Sequence, residues 1–213
     1  MKSRTMLRTG AGVLFALLAI AAQPSAWGQT FTTFDPPGSQ GTSPVSINPA
    51  GQITGNYFDA NFTTHGFLRA SDGTLTSFDA PAASHGTFPA FITPQGLIVG
   101  TYFDANFITQ PFLRTKDGTF SSFATPQLGN FGAAASINSS GAVAGNVQNF
   151  NCSNFPCTVV LTSFLRAANG TVKQVNDPVA VQGTQVIGIN PAGGIIGVYS
   201  DANNVQHGFL EKP

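Results

Sequence analysis

One segment of this chain is repeated four times between residues 41 and 213, and this repeat constrains the fold more than any other feature. The first copy reads Ile-Asn-Pro-Ala-Gly-Gln-Ile-Thr-Gly-Asn-Tyr from Ile47 to Tyr57 and continues to His-Gly-Phe-Leu-Arg, which ends at Arg69. The first glycine of the pattern recurs at positions 51, 96, 141 and 193, so the spacings are 45, 45 and 52 residues. A period of this length is typical of solenoids and propellers.

Within a copy, turn residues separate four short runs of strand-forming residues. The turns contain Asn-Pro-Ala-Gly at the first position and Asp-Gly, a strong hairpin signal, at the third. No copy has apolar residues at helical spacing, which argues against solenoids of helix pairs. Four strands per copy are typical of a propeller blade. We therefore predict an all-β fold, a four-bladed β-propeller with blades at 41–81, 86–126, 132–178 and 183–213.

The two ends of the chain predict how the ring closes. The fourth copy stops at Pro213, before its fourth strand, while residues 31–37, Phe-Thr-Thr-Phe-Asp-Pro-Pro, match the fourth strands of the first two copies. The N-terminal strand can therefore complete the C-terminal blade, which removes exposed sheet edges. We expect a monomer closed in this way. The competing geometry is a half-ring that closes by pairing two chains into eight blades.

The longer third interval contains both cysteines, Cys152 and Cys157. They lie in the loop between the second and third strands of that copy, and no His or acidic residue lies between them. In an exported protein such a pair is expected to form a disulfide that stiffens its loop. A redox or metal site is the alternative, but a metal would need further ligands.

The first 28 residues have the three parts of a secretory signal peptide. Basic residues come first, an apolar run from Ala11 to Ala22 follows, and Ala26-Trp27-Gly28 supplies small residues for cleavage. The alternative is an N-terminal membrane anchor. Removal of this segment leaves 185 residues with six basic and nine acidic side chains, a formal charge of −3. The mature domain, 29–213, is therefore expected to be extracellular or periplasmic.

Composition excludes several other classes. Only 8% of the residues are charged, against about 25% in an average domain. The chain lacks the charge of a disordered protein and the basic surface of a nucleic-acid binder. No later segment is apolar for long enough to span a membrane. The excess of Gly, Pro and Phe fits turn-rich blades that pack through aromatic side chains.

The segments Ile-Asn-x-x-Gly-x-Ile-x-Gly-x-Tyr and His-Gly-Phe-Leu-Arg resemble the bacterial extracellular repeats of the HAF family, named for a His-Ala-Phe triplet. Gly66 and Gly208 stand where that family usually has Ala, and the second and third copies depart further, with Gln110-Pro111 and Thr162-Ser163. The resemblance covers residues 31–213. It implies a secreted, propeller-like repeat protein, and it transfers no catalytic residue.

Three copies carry an Asp-Ala-Asn motif in the loop between their second and third strands. The candidate ligand-face residues in these motifs are Asp59, Asn61, Asp104, Asn106, Asp201 and Asn203. Three carboxylates on one face of a propeller, with Asn149 near the fourth place, would offer oxygen ligands for Ca²⁺. The alternative is turn chemistry, because Asp and Asn bond their own backbone two residues on. No other cofactor is expected.

Aromatic and histidine side chains recur beside these motifs. Phe62 and Phe107 follow two of them, and as exposed loop aromatics they would stack on a sugar ring or line a ligand groove, unless they fold inward. His65 and His207 occupy equivalent places, but zinc needs three or four converging ligands, so we expect them to cap the third strand or bond a neighbouring blade. Phe67, Phe112, Phe164 and Phe209 are predicted to pack between blades. Arg69, Arg114 and Arg166 are expected to pair with the following turn.

No catalytic constellation is present: there is no Gly-x-Ser-x-Gly elbow and no phosphate loop. The sequence therefore predicts a secreted, non-catalytic binding module whose loop-rich face takes a glycan, a protein or a small ligand. The alternatives are a hydrolase or lyase of propeller type and a structural protein of the envelope or matrix.

Overall fold

The computed structural model describes residues 30–123, 131–151, 158–181 and 183–213. The chain divides after Thr33 into two units. In the first unit, residues 30–33 are exposed and form no regular structure; the predicted signal peptide lies outside the described residues. The second unit, Phe34–Pro213, contains all the strands described. In these residues no helix is long and apolar enough to cross a membrane.

Fifteen strands form four antiparallel sheets, which confirms the all-β prediction. Sheet 1 has the order β1 (Gly41–Ile47), β2 (Ile53–Phe58), β3 (Thr64–Arg69), β4 (Leu75–Phe78). Sheet 2 has β5 (Thr87–Ile92), β6 (Ile98–Phe103), β7 (Thr109–Arg114), β8 (Phe120–Ser122). Sheet 3 has β9 (Phe131–Ile137), β10 (Val143–Asn151), β11 (Thr158–Arg166), β12 (Val172–Val175). Sheet 4 has β13 (Thr184–Ile189), β14 (Ile195–Ser200), β15 (Gln206–Glu211).

Two glycines in each copy explain why the pattern repeats. The first, such as Gly96, has a positive φ of 84° in the turn between the first two strands, a conformation that glycine adopts without steric strain. The second, such as Gly100, lies opposite the ring of Phe112 in the strand register. A Cβ at Gly100 would lie 2.3 Å from the carbonyl oxygen of Phe88 and 2.8 Å from that ring. The aromatic side chain therefore fits only above a glycine.

Sheet 3 differs from the others in the length of its central hairpin. β10 and β11 have nine residues each, whereas the corresponding strands of sheets 1, 2 and 4 have six. The additional residues of the third copy therefore lengthen two strands in part, instead of only the loop. Asn149 lies within β10, where it pairs with Val160. The cysteines and their predicted disulfide lie outside the described residues.

Neighbouring sheets pack face to face in sequence order. We call the face toward the preceding sheet the front face and the face toward the following sheet the back face. Between sheets 2 and 3, for example, the back-face Val99 meets the front-face Ile137 and Val143. Phe112 and Phe164 are fully buried between sheets, as predicted. Phe67 is also fully buried, but it packs on Phe34 instead of on another sheet, and Phe209 is half-buried. The core thus consists of three inter-sheet layers.

The arginines of the third strands contribute to these layers in a way the sequence did not indicate. The guanidinium of Arg114 lies 4.8 Å from the centroid of Phe78, which belongs to the fourth strand of the preceding sheet. Arg166 lies 4.9 Å from the centroid of Phe123 in the same way. Burial lowers the pKa of the Arg114 guanidinium. Arg114 also makes the expected contact with the following turn, since its guanidinium donates to the carbonyl oxygen of Thr115 at 3.5 Å and interacts electrostatically with Asp117.

Residues near the two chain ends were predicted to close the ring, and the contacts of Phe34 bear on that prediction without showing the closure. Phe34 occupies the place on the front face of sheet 1 that a preceding fourth strand would occupy: its ring centroid lies 6.0 Å from that of Phe67, and Arg69 lies 5.1 Å from it. Sheet 4, however, has three strands, and residues 31–37 form no strand. The described residues thus show no closed ring, and its closure stays a prediction.

Candidate functional site

The Asp-Ala-Asn loops of sheets 1, 2 and 4 share one turn structure. In the first loop, Oδ1 of Asp59 accepts hydrogen bonds from the backbone N–H groups of Asn61 and Thr63, at 2.8 and 2.9 Å. Asp104 and Asp201 make the same pair of bonds, at 2.8 to 3.0 Å. The aspartates therefore have the turn-stabilising role that sequence reasoning weighed against calcium binding.

These hydrogen bonds also keep the carboxylates ionised. The backbone N–H of Thr63 is the largest cause that lowers the pKa of Asp59, and that of Val205 has the same effect on Asp201. In the described part of the chain, no group of three or more His, Cys, Asp or Glu side chains is arranged to hold a metal ion. Calcium binding stays a prediction. Oδ2 of each aspartate would be the ligand, because the turn hydrogen bonds are made by Oδ1.

The repeated histidines bind these same aspartates. His207 Nε2 lies 3.1 Å from Oδ2 of Asp201. His65 lies between two carboxylates, with Nδ1 2.9 Å from Asp79 and Nε2 3.7 Å from Asp59. Each histidine therefore ties the start of a third strand to its own loop, and the described residues show no bond from it to a neighbouring sheet.

The position of these histidines is occupied by glutamine in sheet 2, which supports a structural role. Nε2 of Gln110 lies 3.5 Å from Oδ2 of Asp104, so the amide makes a longer version of the histidine contact. Tyr57 packs on His65 in a tilted arrangement and Tyr199 stacks on His207, with ring centroids 5.2 and 5.1 Å apart. Sequence reasoning missed Asp79 as a partner, although the Phe-Asp-Ala-Pro segment that contains it was visible.

Phe62 and Phe107 lie at the tips of their loops and do not fold inward. Their side chains are 81% and 61% exposed. Both have a positive φ, 61° and 58°, and the equivalent residue of sheet 4 is Asn204, with φ 60°. Bulky residues rarely adopt this conformation, whereas asparagine does so more readily. Two of the three loops therefore hold an exposed phenylalanine where the backbone favours asparagine.

The flat faces of these aromatic side chains are partly supported from behind. Phe62 stacks on Phe58, with centroids 6.0 Å apart and an interplanar angle of 11°. Phe107 stacks on His85, at 3.6 Å and 14°. His85, which has no counterpart in the repeat pattern, thus acts as a platform for Phe107. The remaining candidates, Asn61, Asn106 and Asn203, are exposed beside their aspartates.

Comparison with protein-family models gives no match, and neither does comparison with curated proteins. Among solved structures, one described as a streptogramin B lyase structure is 14% identical to this chain, with a TM-score of 0.47. The similarity covers 80% of this chain and 55% of that one, so this chain spans about half the length of the other protein.

Proposed function

We propose that this chain is an exported, non-catalytic binding module whose Asp-Ala-Asn loops hold aromatic side chains for stacking on a ligand. The observation that carries this proposal is the exposure of Phe62 and Phe107 at positive φ. A non-glycine residue in this conformation costs about 1–3 kcal/mol. Because both rings are mostly exposed, the hydrophobic effect offsets little of this cost. The fold alone would favour asparagine at these positions, as in sheet 4.

The chemistry around the rings fits a neutral, hydroxylated ligand such as a glycan. An aromatic ring can cover the apolar face of a sugar ring, while the carboxylates of Asp59 and Asp104, ionised at neutral pH, can accept hydrogen bonds from hydroxyl groups. The formal charge of the expected mature chain, −3, disfavours a polyanionic ligand such as a nucleic acid.

The four sheets are also proposed to be the blades of a propeller, in which a strand from residues 31–37 completes sheet 4. Support comes from the sequence match of this segment to fourth strands and from the position of Phe34 against Phe67. A closed ring, whether it is formed by one chain or by two, would hold the Asp-Ala-Asn loops of each chain at one end.

The test is a glycan array probed with wild type and with Phe62→Asn/Phe107→Asn. This double variant copies the residue that sheet 4 uses, so we expect it to lose most glycan binding while its melting temperature stays the same or rises. Phe91→Asn is a matched control, because Phe91 is also exposed but lies on a strand. Binding that survives the double substitution, or a wild type that binds no glycan, would contradict the proposal.

A second candidate function is hydrolase or lyase chemistry, favoured by His65 between Asp59 and Asp79. A histidine held by carboxylates is suited to general acid–base catalysis. If a substrate is found, His65→Gln should abolish its turnover. If the role of His65 is only structural, the variant should remain active, because Gln110 occupies the same position in sheet 2.

A further inference from the structure

The front face of sheet 1 exposes an isoleucine whose counterparts in the other three sheets are buried or half-buried. Ile47 is 67% exposed, while its counterparts Ile92 and Ile137 are 1% and 3% exposed. Together with Phe34 and Ile53 it lines a shallow apolar pocket of about 310 Å³. This face has the composition of an inter-sheet core layer, but none of the sheets in the described residues covers it.

The back face of sheet 4 is uncovered in the corresponding way. Ile196 is 52% exposed, while its counterparts Val99 and Ala144 are fully buried. Leu210 is 58% exposed, while Leu165, its counterpart in sheet 3, is half-buried. Both side chains line a pocket of about 210 Å³, together with residues of the β13–β14 hairpin and Ser136 of sheet 3. Within the described residues, one front face and one back face therefore pack against no other sheet.

Polar groups at the interior layers show how such faces join. The side-chain amide of Asn48 donates to the carbonyl oxygen of Thr93 in the next sheet, at 3.0 Å. Asn138 donates to Asn190 in the same way, at 3.2 Å. Asn190 is the third asparagine at this position, and it is exposed. Its amide is placed to donate to a further front face.

The outer edge of β15 shows a matching gap. In sheet 1, a Cβ at Gly66 would lie 2.5 Å from the ring of Phe78 on the fourth strand. At the equivalent Gly208, the nearest atom to such a Cβ is 4.0 Å away, because the described residues place no fourth strand in sheet 4. Phe34, the counterpart of Phe78, lies instead on the front face of sheet 1. A back face docked on sheet 1 would therefore receive Phe34 above its unfilled glycine.

We infer that the front face of sheet 1 binds the back face of sheet 4 of a second copy of this chain. A second copy is the partner that we infer, because this interface would repeat a front-to-back contact that the chain makes three times internally. Each copy exposes both of the faces that such a contact needs. Two reciprocal contacts produce a closed dimer, whereas one contact alone would allow open assemblies. The inference rests on the proposal that the sheets are blades, but it does not depend on ligand binding.

The test measures the mass of the purified chain in solution by sedimentation equilibrium. We expect wild type to have twice the chain mass at micromolar concentration. Ile47→Glu places a charge on the front face and Leu210→Glu places one on the back face, so each should weaken association at least about a hundredfold. Val205→Glu is the matched control, because Val205 is half-exposed and lies in the loop between β14 and β15, outside the strands, so a charge there should leave the dimer intact.

Mixing the two variants distinguishes front-to-back binding from other contacts. Ile47→Glu keeps a functional back face and Leu210→Glu keeps a functional front face, so an equimolar mixture should contain dimers that neither variant forms alone. Gly208→Ala is a milder variant that should weaken the dimer by obstructing Phe34 while leaving the monomer folded by circular dichroism. A monomeric wild type, which includes closure within one chain, would overturn the inference, and so would a mixture that stays monomeric. Glycan binding is scored separately, so its failure leaves this result standing.

Discussion

Replacing Phe112 with alanine tests the packing between sheets most directly. The side chain is fully buried and contacts Phe78 and Phe120, with ring centroids 6.4 and 5.6 Å apart. Removal of a buried phenylalanine destabilises a protein by about 3–5 kcal/mol. The residue opposite is Gly100, which has no side chain to move into the cavity. We therefore expect a loss near the upper end of this range.

Phe209→Ala is the matched control, since it occupies the same repeat position. Phe209 is half-buried, so its truncation removes only part of the transfer free energy, which is about 1.5–3 kcal/mol for a fully buried side chain. We expect it to cost about 1–2 kcal/mol. Urea unfolding followed by far-UV circular dichroism gives both values from the transition midpoints at constant slope. If Phe112→Ala lowered the free energy of unfolding by no more than Phe209→Ala, burial between sheets could not be the source of the stability that Phe112 contributes.

Three further predictions concern single contacts. Gly100→Ala should destabilise the chain by about 1–3 kcal/mol in the same urea assay because its Cβ would overlap the Phe88 carbonyl oxygen, whereas Gly188→Ala, whose Cβ would have a nearest neighbour at 3.5 Å, should cost less. Arg114→Lys should cost about 0.5–2 kcal/mol, since an ammonium group stacks less well on an aromatic ring. Hydrogen bonds hold the pKa of Asp201 below its usual 3.8. The stability that this carboxylate contributes is therefore present above that pH and is lost as the pH falls through the lowered pKa. In acid, the melting temperature of Asp201→Asn should consequently depend less on pH than that of wild type.

Features written into every copy could be predicted from the sequence. The turn glycines, the burial of Phe67 and Phe112, and the four-strand order of the first three sheets follow from local pattern and repetition. The aspartate turns were also foreseen as an alternative to calcium, because an Asx turn needs only residues within the same loop.

Contacts between copies could not be predicted in the same way. The stacking of Arg114 on Phe78 joins a third strand to the preceding sheet, so it depends on the packing of two sheets and not on spacing along the chain. His85 has no counterpart in the pattern, and its position behind Phe107 became visible only in three dimensions. The HAF resemblance, export and the absence of catalysis stay predictions.

The order of strands has a consequence for how this protein reaches its native state. Every hydrogen-bonded strand pair in the four sheets joins strands that are neighbours in the sequence. Such local pairing has a low entropic cost of loop closure, and it favours rapid folding. The one pairing that would bring distant segments together is the completion of sheet 4. If a second copy supplies that strand, refolding should begin with a fast phase that is independent of protein concentration and end with one whose rate rises with it.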